Sequence, residues 1–305
     1  MQKPFFSIVV VSLNPGERLE KTLRSILSQT YQSYEVILKD GGSKDGSLEK
    51  LQKCGFFEKK EQIRIIQKPD KSIYDGMNQA VMYVNGKYVQ FLNCGDYFYS
   101  DHVLQEVAEF IESHRKKNVG AAIKKKSDDR EEDKGKDRDV PAREAEEMSK
   151  IIYYGNQYNQ QQNAIVYSAP QINDFTCYRN VPCHQVCFYD SRLFEKRAYE
   201  LNYKVRADYE HFLYSIYREQ AKGVSMPMIV ASYEGGGFSE TKENRKRSAL
   251  EHRQITKKYL GKKAFKYRLI MWLTLAPVRT WIAENPALSG VYNAVKSGIY
   301  KLVRK

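Results

Sequence analysis

Apolar and polar positions alternate in blocks along the first hundred residues, and the period changes from block to block. FFSIVVVSL, from Phe5, is a near-continuous apolar run of the kind shown by strands buried on both faces. PGERLEKTLRSILSQTY follows, with Leu19, Leu23, Ile26 and Leu27 at helical spacing. YEVILKD predicts a second strand, closed by GGSKDGS, whose glycines and Asp45 suit a turn and a helix start. QIRIIQK predicts a third strand, SIYDGMNQAVMYVNG a helix ending on a glycine, and KYVQFLN a fourth strand. This βαβαβαβ order points to an α/β fold whose doubly wound, mostly parallel sheet is flanked by helices.

On such a sheet, ligands sit in the crevice at the carboxyl ends of the strands. Asp40 ends the second predicted strand, Asp70 follows the third, and Asp96 follows the fourth, where FLNCGDYF runs out of apolar residues. Each alone is as well explained as a turn or cap residue. Three in register at the ligand edge argue for a site. DGGSKDGS is not the Gly-x-Gly-x-x-Gly dinucleotide fingerprint and no Walker lysine pattern occurs, which disfavours nicotinamide and P-loop chemistry.

Composition adds bounds. The 305 residues are 42% apolar, enough for one large domain or a domain with an appendage. Five cysteines, Cys54, Cys94, Cys177, Cys183 and Cys187, repeat no metal-ligand spacing, so a reducing compartment is expected. The apolar run at the N-terminus is too short for a signal peptide's core plus cleavage site, and no secretion is expected. From Lys124 to Lys150, 19 of 27 residues are charged, which predicts a solvated, partly disordered insertion.

The net charge of +13 belongs to one region. Residues 241–305 hold 16 Lys and Arg against 3 acids, so 16 − 3 = 13, while residues 1–240 balance at 34 and 34. A neutral body argues against a nucleic-acid-binding core and assigns polyanion contacts to the tail. The expected divisions are therefore 1–240, made of halves 1–117 and 151–240 around the segment 118–150, and a basic helical tail 241–305.

In the second half, YKVRADYEHFL places Asp208 just before Phe212, Leu213 and Ile216, at the first turn of a helix, where an acid is ordinarily a dipole partner. His184 and Gln185 open HQVCFYDS, a predicted strand. YEGGGFSE reads as a flexible loop after the apolar strand SMPMIVASY, either a lid or a plain connector.

FSIVVVSLN, LKDGGSKDGS, PDKSIYDGMNQAV, GKYVQFLNCGDYF, IIYYGN, CHQVCFYDSRLF and RADYEHFL stand in the order found in glycosyltransferase family 2. The series resembles the inverting nucleotide-sugar enzymes of the GT-A fold, above all the bacterial branch that builds capsular and exopolysaccharides. The resemblance covers roughly residues 5 to 240, interrupted in the middle. It implies donor binding by Asn14, Asp40, Asp70, Asn93 and Asp96, acceptor binding by His184 and Gln185, and Asp208 as general base. It also implies a Mg or Mn ion on Asp96, bridging the diphosphate of a nucleotide-sugar donor, with a UDP-sugar as the default. The family's Asp-x-Asp is replaced here by Asn93, Cys94 and Gly95 ahead of Asp96. A sugar-nucleotide-binding or scaffold protein that lost its metal site therefore stands beside the enzyme as an alternative.

The tail offers one more expectation. KKAFKYRLIMWLTLAPVRTWIA is apolar without interruption only from Leu269 to Val278, about half of what a bilayer span needs. Lys262, Lys263, Lys266, Arg268 and Arg279 with Trp272 and Trp281 form the mixture that settles at a lipid headgroup boundary. Two readings stand: a helix packed on the catalytic domain, or one docked on the anionic inner face of the cell membrane, where a lipid-linked acceptor would be met. The expected location is cytoplasmic and peripheral to that membrane, with no nucleic-acid partner.

Overall fold

A computed structural model describes residues 3–58, 62–128, 149–235 and 241–273. In chain order the elements are β1 (Phe6–Ser12), α1 (Arg18–Leu27), β2 (Tyr34–Asp40), α2 (Ser47–Lys53), β3 (Ile63–Gln67), α3 (Ile73–Val81), β4 (Tyr88–Phe91) and β5 (Tyr97–Phe98). They continue with α4 (Val103–Asp128), β6 (Ile151–Asn159), β7 (Ala164–Val166), α5 (Asp174–Arg179), β8 (Cys187–Asp190), α6 (Ala207–Tyr217), β9 (Lys222–Tyr233), α7 (Lys242–Leu260) and α8 (Lys262–Leu273).

The described strands form one sheet in the order β3-β2-β1-β4-β8-β6-β9-β5, with β7 on β6. β1, β2, β3 and β4 pair in parallel, as the alternating pattern predicts. Every residue of β1 is buried, the consequence of an apolar run covered by helices on both faces. α1 turns Leu19, Leu23 and Ile26 onto the sheet. α3 ends at Val81, earlier than its pattern suggests, and its start is capped by the Ser72 hydroxyl, which accepts from the Asp75 N–H at 3.2 Å.

Beyond β4 the sheet is mixed. β8 runs antiparallel to β4 and β6, whereas β9 is parallel to β6 and antiparallel to β5. HQVCFYDS is not strand from its first residue: His184–Val186 form a 3-10 turn and the strand begins at Cys187. Pro182 removes a backbone donor just ahead of that turn, and a missing donor suits a turn better than a ladder. α4 runs on to Asp128, so the segment expected as an insertion from 118 begins as a continuation of that helix. Residues 129–148 of that segment, and 236–240 of the glycine-rich loop, lie outside the described residues.

The chain divides into two compact units, Met1–Ile255 and Thr256–Lys305. The first part of the basic tail thus belongs to the body. Glu251 of α7, buried to 5% exposure, accepts from the backbone N–H groups of Lys204, Val205 and Arg206 at 2.8, 3.0 and 2.9 Å. These are the residues that lead into α6, so an acid in a basic segment holds the entry to the helix that carries Asp208.

Candidate active site

Strand register gathers the crevice. Ser12 stands beside Asp40 and Asp40 beside Gln67, so β1, β2 and β3 end together, with the Asn93–Asp96 loop leaving β4 at the same edge. α1 grips that loop: the Thr22 hydroxyl donates to the Asp96 carbonyl at 2.7 Å and accepts from the Gly95 N–H at 2.9 Å.

The carboxylates of this edge are used very differently. Asp40 is spent on its own loop: Oδ2 accepts from the Gly42 and Ser43 N–H groups at 3.0 and 2.9 Å, and Oδ1 from the Ser43 and Ser12 hydroxyls. Asn14, at φ 48°, ties the neighbouring turn to it, accepting from the Lys44 N–H at 2.8 Å through Oδ1. Asp70 faces inward. Its Oδ2 takes a 2.8 Å contact from Lys39 Nζ, and the two side chains are 6% and 0% exposed. Lys39 also donates to the carbonyls of Asp40 and Lys68. A Cβ at Gly41 would lie 2.6 Å from Asp70 Oδ2 and one at Gly76 3.1 Å from it, so both glycines are needed for the approach.

Asp96 is 4% exposed. Its Oδ2 accepts from Gln185 Nε2 at 2.9 Å and its Oδ1 from the Glu234 N–H at 3.0 Å. Burial pushes its carboxyl up, and these hydrogen bonds oppose the rise. The Glu234 side chain lies over Gly95, at φ 102°, and pairs with Arg18 Nε at 3.0 Å. Any side chain at position 95 would collide with it, because a Cβ there would lie 2.4 Å from Glu234 Oε2.

Asp208 stands in the first turn of α6 with its side chain 26% exposed. His184 Nδ1 lies 3.0 Å from its Oδ2, and the Tyr74 hydroxyl lies 2.9 Å from its Oδ1 and 2.8 Å from the Val205 carbonyl. On the far side of the ring, His184 Nε2 meets Asn93 Nδ2 at 3.1 Å. Burial raises the Asp208 carboxyl, but the hydrogen bond and the charge of His184, joined by the hydrogen bonds from the Tyr209 N–H and Tyr74, prevail and hold it below the usual carboxylate range. An ionised, partly exposed carboxylate at a strand-edge crevice is competent to take a proton.

The structure therefore joins Asp96 to Gln185 and Asn93 to His184 and Asp208, while Asn14, Asp40 and Asp70 are engaged in holding loops. Lys39, Arg18, Glu234 and Glu251 escaped the sequence reading. Lys39 carried a signal: a lysine inside a strand buried on both faces needs an anionic partner. Glu234 and Glu251 are single acids in loop and tail, with no pattern to mark them.

The sequence model described as glycosyl transferase family 2 matches residues 7–172, more than half of the chain, and the chain belongs to that family. It is 28% identical over 285 residues to a Mycobacterium tuberculosis protein named PGL/p-HBAD biosynthesis glycosyltransferase, covering 92% of both chains. In fold it is similar to Staphylococcus aureus TarS 1-349 solved with UDP, at 15% identity and TM-score 0.56, covering 91% of this chain and 78% of that one. It spans 42% of the longer TarS chain. A mannosyltransferase from Pyrobaculum calidifontis, solved with GDP-Man and Mn2+, aligns at TM-score 0.58 and 11% identity over 99% of this chain and 81% of that one. The chain is thus a glycosyltransferase with the mixed α/β sheet of the GT-A fold.

Proposed function

We propose that the protein is an inverting glycosyltransferase that moves a sugar from a nucleoside diphosphate, a UDP-sugar by preference, to a saccharide or lipid-linked acceptor in bacterial polysaccharide synthesis. The observation that carries this reading is Asp208, ionised and partly exposed beside the crevice. Its carboxylate takes the proton from the acceptor hydroxyl as that oxygen bonds to the anomeric carbon. The bond from that carbon to the diphosphate oxygen breaks, and the nucleoside diphosphate leaves with the electron pair. The solved relatives with UDP and GDP-Man support a nucleotide-sugar donor. In this reading the hydrogen-bonded Asn14, Asp40 and Asp70 loops wall the nucleoside, and the orphaned buried Oδ1 of Asn93 is an acceptor for a donor hydroxyl.

A divalent cation fits Asp96. Each Asp96 oxygen accepts one hydrogen bond and keeps a lone pair. Among the described residues no group of three His, Cys, Asp or Glu side chains is able to hold an ion. The remaining positions of a Mg or Mn ion would come from phosphate oxygens and water, the usual coordination of such ions on nucleotides. When bound, the ion offsets charge on the leaving diphosphate. A thermal-shift screen of UDP-, GDP- and TDP-sugars with and without Mn2+ tests the pair of claims. A UDP-sugar should raise the melting temperature, and Asp96→Ala should remove the Mn2+-dependent part. An unchanged Mn2+ response in that variant contradicts the assignment.

The tail supports a membrane-facing role. In α8 the side chains of Phe265, Leu269, Trp272 and Leu273 are 65%, 47%, 68% and 63% exposed and fall on one helical face, flanked by Lys262, Lys266 and Arg268. No described helix is long and apolar enough to cross a bilayer. Arg279 and Trp281 lie outside the described residues. The reading is peripheral docking on the anionic cytoplasmic leaflet, with about 1 kcal/mol from each basic residue near the surface. Full-length protein should float with phosphatidylserine vesicles at low salt and be released by high salt. Replacing those four apolar residues by Ser should abolish flotation, and flotation unchanged by the replacement sinks the idea.

A further inference from the structure

Glu234 brings a second carboxylate to Asp96, at the place where a donor's anionic diphosphate would have to lie. Its backbone N–H donates to Asp96 Oδ1 at 3.0 Å, and its side chain folds back over Gly95. A Cβ at Gly95 would lie 2.4 Å from Glu234 Oε2 and 3.4 Å from Arg18 Cδ, so the carboxylate and the arginine stem fill the space above the loop that leaves β4. Burial raises the Asp96 carboxyl, and the Glu234 charge adds to the rise. Arg18 offsets these like charges, its Nε meeting Glu234 Oε2 at 3.0 Å. Among the described residues the Arg18 side chain forms no other ion pair, and it is 62% exposed against 36% for Glu234. An ion pair so open to water holds weakly and exchanges partners readily. Two other cations near this edge are committed elsewhere: Lys39 is sealed on Asp70, and Lys21 lies over the Tyr97 ring at 4.4 Å.

We infer that Arg18 is a ligand of the donor's diphosphate and that the Glu234 carboxylate is its resident competitor, standing on the guanidinium until phosphate oxygens displace it. The inference rests on the nucleotide-sugar reading of the crevice. A guanidinium presents its N–H groups in a fixed fork that suits phosphate oxygens as well as a carboxylate, and a diphosphate brings more charge and more acceptors than one glutamate. The exchange therefore favours the ligand, and it also relieves the like charge beside Asp96. It gives the reduced Asp-x-Asp pattern a counterpart as well. With Asn93 in place of an acid, Asp96 is left as a single carboxylate for a cation, and a positive side chain at the start of α1 supplies further charge to the departing diphosphate. Gly95, at φ 102°, is then required twice, for its backbone conformation and for the room it leaves an anion against the loop.

Calorimetric titration of the full-length protein with uridine and with UDP, in the presence of Mn2+, separates the nucleoside from the diphosphate. Arg18→Ala should weaken UDP about tenfold and leave uridine within about twofold. Arg18→Lys, which keeps the charge but not the fork, should fall between Arg18→Ala and the unmodified protein. Glu234→Gln should tighten UDP about two- to fivefold, because the competitor has lost its charge. The double variant should bind UDP no better than Arg18→Ala, since Glu234 acts through Arg18. Melting temperatures of all four within about 3 °C of the unmodified protein show that the crevice still folds, as the loss of an exposed pair allows. Unchanged UDP affinity in Arg18→Ala, or an equal loss for uridine and UDP, overturns the assignment of Arg18. Weaker UDP binding in Glu234→Gln overturns the assignment of Glu234 and makes it a ligand of the cation instead. If the unmodified protein binds none of UDP, GDP and TDP, the nucleotide-sugar reading itself fails and takes the inference with it, an outcome distinct from UDP binding that ignores Arg18.

Discussion

Asp70 and Asp208 are both aspartates at the same crevice, and they are held in opposite ways. Asp70 is nearly sealed, its charge matched by Lys39, which is sealed completely. Asp208 remains partly open and is held by a histidine, a tyrosine and a helix start rather than by a fixed cation. A buried carboxylate with a buried lysine organises a loop; an open one held ionised by hydrogen bonds can exchange a proton. On the proposed reading of Asp208 as the base, the contrast separates scaffold from chemistry at one sheet edge, where residue type alone does not.

The strongest way to break the contrast is to remove the scaffold's cation. Lys39→Met leaves Asp70 buried and unpaired, and should lower stability by about 3–5 kcal/mol in chemical denaturation. A loss below about 1 kcal/mol would mean that Asp70 reaches solvent and is not a scaffold residue.

A second, smaller effect comes from acid and sharpens the boundary of the active half. His211, one turn beyond Asp208 on α6, is fully buried, stacks on Phe194 with ring centroids 4.3 Å apart, and has no hydrogen-bond partner at either nitrogen. Burial pushes its pKa down to about 3, with the Arg197 charge adding to the fall. The folded state therefore binds fewer protons than the unfolded one between that value and the ordinary 6.5, so stability is full above pH 6.5 and falls as pH drops. Between pH 6.5 and 4.5 the loss from this residue should be about 2–3 kcal/mol. His252, also lowered by burial, adds to it with the same sign. Melting curves of His211→Phe should lose this share of the dependence between pH 6.5 and 4.5 and keep that of His252, and an unaltered pH dependence in that variant would contradict the assignment.

These two residues also show what was legible in the sequence. The parallel half of the sheet was readable because runs such as FSIVVVS are buried along their whole length, leaving the apolar pattern nothing to hide. The crevice was readable because strands that end together bring Asp40 and Asp96 to one edge. What periodicity could not supply was the partner of each carboxylate. Asp70 meets Lys39 and Asp208 meets His184 across 31 and 24 residues, and both pairings arise from strand order and a 3-10 turn rather than from local pattern. The mixed half was harder for the same reason: β8 enters between β4 and β6 antiparallel to both, a choice made by packing. The match to the family model itself stops at residue 172, so Asp208 rested on one short motif, RADYEHFL, whose acid is equally a helix-start residue.

The most direct measurement is turnover of Asp208→Asn beside its UDP binding. Asparagine keeps the size of the side chain but lacks the basic oxygen. Sugar transfer should fall by about 10²- to 10⁴-fold while the UDP-induced rise in melting temperature is unchanged. Transfer within about threefold of the unmodified protein, or a loss of activity matched by a loss of UDP binding, would contradict the account of Asp208 as the base.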